Sequence, residues 1–64
     1  MTANIRNEAD RATLSSQGFT WATVFPRGGN KGQILSKHRT YAAADKAAKG
    51  LDRAIVEIGE GGSY

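Results

Sequence analysis

His38 is the only histidine in the chain, and it is the first residue to test for chemistry. A general base needs a partner that orients it, and a metal ligand needs further donors at suitable spacing. His38 has no carboxylate close to it in sequence, and the chain contains no cysteine. Ser15, Ser16, Ser36 and Ser63 are the candidate hydroxyl nucleophiles, and none lies in a nucleophile-elbow context. The run Gly28-Gly29-Asn30-Lys31-Gly32 has the glycine content of a phosphate cradle. It lacks the Walker spacing, however, and leads into a strand-like stretch where the dipole mechanism needs a helix N-terminus. A hairpin turn is the better reading. No catalytic, cofactor-binding or metal-ligating residue is assigned, and the expectation is a protein that binds and does not catalyse.

Binding is where the charged residues point. The formal net charge is +3, unevenly spread. Arg27, Lys31, Lys37, Arg39, Lys46, Lys49 and Arg53 face only Asp45 and Asp52 between residues 18 and 53, whereas Glu57 and Glu60 make the end of the chain acidic. Such an excess draws a small body toward polyanions or an acidic protein face. Arg27, Lys31, Lys37 and Arg39 flank or follow the glycine loop and are the candidate partner-binding residues. If they form a continuous ridge beside aromatic rings, nucleic acid is the alternative partner. Phe19, Trp21 and Phe25 supply such rings, and their alternation places them on one face of a strand.

These side chains need a scaffold, and 64 residues allow one domain. A core of this size supplies about 3–5 kcal/mol of net stability, with no disulfide to add to it. The lack of cysteine fits a reducing compartment, and neither a signal-peptide core nor a membrane-spanning run is visible. A cytoplasmic protein, monomeric or weakly dimeric, is expected.

Residues 1–17 offer only Ile5 and Leu14 as sizeable apolar anchors, too few to offset the entropy of ordering the segment, so they read as flexible. Phe19 to Pro26 reads as a strand from its β-branched and aromatic residues, and Gln33 to Arg39 as its return partner. Thr40 is an N-cap candidate for an alanine-rich helix that Gly50 ends. Ala44, Ala47, Ala48 and Leu51 share one face of that helix at helical spacing. Ala54 to Ile58 reads as a third strand and residues 60–64 as a flexible tail. The fold class is α+β: a β-β-α-β domain over residues 18–59, with a three-stranded antiparallel sheet in the order 2-1-3 packed on one helix. The other sheet face is left open, and the expected core is Trp21, Ala44, Ala47, Leu51, Val56 and Ile58.

The stretch Phe19-Thr20-Trp21-Ala22-Thr23-Val24, followed by a loop, a second strand, a Thr-capped helix and a closing strand, resembles the small RNA polymerase inhibitor of T7-like phages. The likeness spans roughly residues 19–58, although Glu57 and Glu60 stand where the last strand of that inhibitor carries arginines. Gly32-Gln33-Ile34-Leu35-Ser36 through Tyr41 and the helix is also similar to small bacterial and phage domains of unknown function. The resemblance implies a compact interaction module of a phage aimed at a bacterial host protein, such as the transcription machinery, and the basic excess adds that the partner's surface is acidic.

Overall fold

The computed structural model describes residues 3–64. Its elements are helix α1 (Glu8–Ser16), strands β1 (Trp21–Val24) and β2 (Ile34–His38), helix α2 (Tyr41–Ala48), strand β3 (Ala54–Glu57) and a 3-10 turn, η1 (Ile58–Ser63). The sheet runs β2-β1-β3 with both neighbouring pairs antiparallel, so β1 is central and β2 and β3 are edges, as the chain order implied.

Register decides which side chains face which layer. Trp21 lies opposite His38 and Glu57, and Thr23 opposite Ser36 and Ile55. Directly opposed residues share a face, so these residues look one way, while Ala22, Val24, Val56 and Ala54 look the other. α2 packs against all three strands. Its Thr40 side chain accepts from the Ala43 N–H, the expected cap, and Ala44 is fully buried.

The second face is covered, not open. Ile5, Leu14 and Ile58 close over Ala22 and Val24 as the main buried cluster, with Phe19, Ile34, Ala54, Val56 and Tyr64 packed at its margin. The expected flexibility of residues 1–17 is therefore corrected from residue 3 onward; residues 1–2 lie outside the described residues. Asn7 caps α1 through its side chain, which accepts from the Asp10 N–H at 3.1 Å. Ala3 to Ile5 pair with the start of β2: Ile34 N–H donates to Ala3 O at 2.9 Å and Ile5 N–H to Gly32 O at 2.8 Å. Residues 60–64 are likewise built in. Gly61 is buried, and a Cβ there would stand 2.4 Å from Ile5 Cγ1 and 2.6 Å from Ile5 O. Each terminal segment alone has too few apolar groups to order itself, and together they bury one another.

Of the six expected core residues, Ala44 and Ile58 are buried, and Trp21, Ala47 and Val56 are only half-buried. Leu51 is 54% exposed because α2 stops at Ala48 and Gly50, at φ +76°, turns the chain away before Leu51 can continue the helical face. Trp21 is half-buried, and Phe19 precedes the strand and packs with the terminal cluster, so strict alternation does not carry Phe19 onto the Trp21 face.

Candidate partner-binding surface

The loop between β1 and β2 is a tight reversal. Gly28 and Gly32 take positive φ, and Phe25 and Gln33 join through the bond from Phe25 N–H to Gln33 O. Arg27 leaves this loop toward Asp52, with both guanidinium nitrogens 3.1 Å from the carboxylate oxygens. The two side chains are 74% and 69% exposed, so the pair contributes little to stability and an incoming anion can compete with Asp52. Lys31 turns elsewhere: its Nζ lies 5.2 Å from the centre of the Tyr64 ring.

Lys37 and Arg39 do come together. Two residues apart along β2 and its extension, they project to the same side and both lie over Phe19, at 4.9 and 4.7 Å from the ring centre. Arg39 also donates from Nη2 to Gln17 O at 3.3 Å. Each cation–π contact at such a site is worth about 0.5–1 kcal/mol, enough to bias the long side chains without withdrawing their charge from solvent. The four expected residues therefore fall into three groups: Arg27 on Asp52, Lys31 on Tyr64, and Lys37 with Arg39 on Phe19.

The aromatic rings beside them are engaged. Trp21 and Tyr41 meet edge to face, with centroids 5.0 Å apart, and Phe19 carries two cations. Phe19 already carries Lys37 and Arg39, and Trp21 is half-buried against Tyr41, which leaves less of either ring for stacking on a base.

A polar chain runs under α2 through residues that lie in separate stretches of the sequence. Thr23 Oγ1 bonds Ser36 Oγ across the strand pair, and Ser36 Oγ lies 2.8 Å from His38 Nε2. Its signal was present in the Ser-x-His spacing, because residues two apart in a strand share a face. Thr23 is fully buried, so the hydroxyl pair satisfies a polar group inside the sheet. Among the described residues the His38 side chain bonds Ser36, and the three side chains tie β1 to β2. Among the described residues no group of three or more His, Cys, Asp or Glu could hold a metal ion, and no helix is long and apolar enough to cross a membrane. An open depression of about 500 Å³, lined by Asn4, Arg6, Asn7 and Gly62, lies where the two terminal segments meet.

Comparison with family models, with curated proteins and with solved structures finds no match to the chain.

Proposed function

We propose that this protein is a small non-enzymatic protein–protein interaction module that offers the β2 side of its sheet to an acidic partner surface. The supporting observation is the placement of Lys37 and Arg39 on one side of an edge strand, both over Phe19. Among the described residues the ion pair is Arg27 with Asp52, so Lys37 and Arg39 keep their charge for a partner. Ala3 to Ile5 occupy the edge only at the start of β2, beside Gly32 to Ile34. Lys31, next in line past that pairing, extends the positive field, and Arg27 joins it by exchanging Asp52 for a partner carboxylate.

An acidic protein face suits this arrangement better than nucleic acid, because the Phe19 and Trp21 rings that would stack on bases are engaged within the fold. With the resemblance to the phage polymerase inhibitor, the reading becomes a phage-encoded modulator of a bacterial host enzyme such as the transcription machinery, acting in the host cytoplasm.

The test is capture of partners from bacterial lysate by the native protein and by the Lys37→Glu, Arg39→Glu double variant, each with and without nuclease. The expected result is one nuclease-resistant partner that the double variant loses at low salt, with an unchanged circular dichroism spectrum. The attraction acts mainly on encounter rate and should fade as the Debye length falls below about 10 Å. Loss of every partner on nuclease treatment would make nucleic acid the ligand. Full retention by the double variant would remove the β2 surface from the function.

A further inference from the structure

The opposite edge of the sheet differs in its protection. Edge strands expose a row of N–H and C=O groups, and natural proteins blunt them with lysines, bulges, proline or a covering segment. β2 has several of these: a register irregularity opposite Thr23 and Val24, Lys37, and the pairing with Ala3 to Ile5. Among the described residues β3 shows no bulge and no covering segment, and it contains no lysine or proline. It reads Ala54-Ile55-Val56-Glu57, pairs on one side with β1, and among the described residues has no strand on its other side.

The phase of the ladder shows which groups are open. Ile58 N–H donates to Thr20 O at 2.8 Å, so by antiparallel alternation Val56 and Ala54 turn their backbone groups toward β1. The N–H and C=O of Ile55 and Glu57 then point to the outer edge.

We propose that a second copy of this chain pairs there, β3 against β3, antiparallel about a two-fold axis through Ile55 and normal to the sheet. The register follows from charge and polarity. With Ile55 opposite itself, Ala54 meets Val56 of the second copy and Arg53 meets its Glu57, so each strand end places opposite charges face to face. Arg53 and Glu57 belong to no ion pair among the described residues. Shifting the centre to Val56 puts Ile55 opposite Glu57; shifting it to Ala54 puts Arg53 opposite Ile55. Only the Ile55-centred register matches apolar with apolar and cation with anion at every position from 53 to 57. It also pairs outward-facing backbone groups: the two Ile55 residues exchange bonds, and each Glu57 N–H meets the Arg53 carbonyl across the axis. A two-fold axis normal to the sheet keeps α2 of both copies on the same side, and the two sheets become one that is continuous through β3. The contact is short, so the dimer is weak and concentration-dependent.

Sedimentation of the native protein across about 10 µM to 1 mM, where weak association becomes visible, should show a reversible monomer–dimer equilibrium. Arg53→Glu and Glu57→Arg each set like charges opposite one another at both ends of the paired strands, and each alone should weaken association by about tenfold or more. The decisive arm is a mixture of the two single variants, in which the reversed charges meet their opposites across the axis and a heterodimer of native strength should form. The doubly swapped chain should likewise dimerise as the native one does. Glu57 is exposed, so Glu57→Arg tests the contact even if Arg53→Glu does not fold. A native chain that stays monomeric at the highest concentration, dimerisation by Glu57→Arg equal to native, or a mixture of two folded variants that fails to associate would each overturn the proposal.

Discussion

The two faces of the sheet are built on different terms. Under α2 the fully buried groups are small or polar, the Ala44 methyl and the Thr23 hydroxyl bonded to Ser36, while the larger Trp21 and Ile55 are only half-buried and Tyr41 is exposed. On the other face, Ile5, Leu14 and Ile58, drawn from segments close to the two chain ends, close over Val24 and Ala22. The helix with the clear sequence signature thus covers the lighter face, and the segments with little signature build the heavier one. Burial in a small domain follows the number of large side chains that converge, whatever the helical propensity of the segment that delivers them.

The sharpest way to break this contrast is Ile5→Ala. Ile5 is fully buried, and removal of such a side chain costs about 2–5 kcal/mol, comparable with the whole stability of a domain this small. Urea titration should show a protein largely unfolded or close to its midpoint without denaturant. A loss below about 1 kcal/mol would return the main core to the α2 face.

Gly61→Ala probes the same face from the C-terminal side. The added methyl would overlap Ile5, including its backbone oxygen, and overpacking of this kind costs about 1–3 kcal/mol. A lowered melting temperature with faster amide exchange at both Ile5 and Leu14 is expected. Exchange that quickened only around Gly61 would separate the C-terminal turn from the N-terminal helix.

On the lighter face, Tyr41→Ala removes an exposed ring that meets Trp21 edge-on, and should cost about 0.5–1.5 kcal/mol. Tryptophan fluorescence should report a more solvated indole with little change in the unfolding midpoint. A cost equal to that of Ile5→Ala would abolish the difference between the faces.

The sequence made the lighter face readable and concealed the heavier one. Thr40, the alanine run, the β-branched strands and the glycine loop each carry a local preference, and together they implied the strand order that the fold adopts. Helix α1 has no such independence: it is polar on average, and its one buried residue is Leu14. Its packing lies largely against η1, a segment more than forty residues later by the numbers of their bounds, so no window of sequence contains both halves of the contact. The candidate surface was readable in part for the same reason. Lys37 and Arg39 share a side because strands alternate, whereas the turn of Arg27 toward Asp52 depends on where α2 delivers the chain.

The contact between Ile5 and Gly61 also has a kinetic meaning. It closes a long loop, from residue 5 to residue 61, and the entropy of that closure must be met before the contact returns anything. The hairpin and α2 can form early from neighbours in sequence, but the cluster around Ile5 waits for Ile58, far along the chain. A nascent chain therefore holds Ile5 and Leu14 without their partners until Ile58 and Gly61 have emerged from the ribosome, so this part of the fold is acquired after the hairpin and α2.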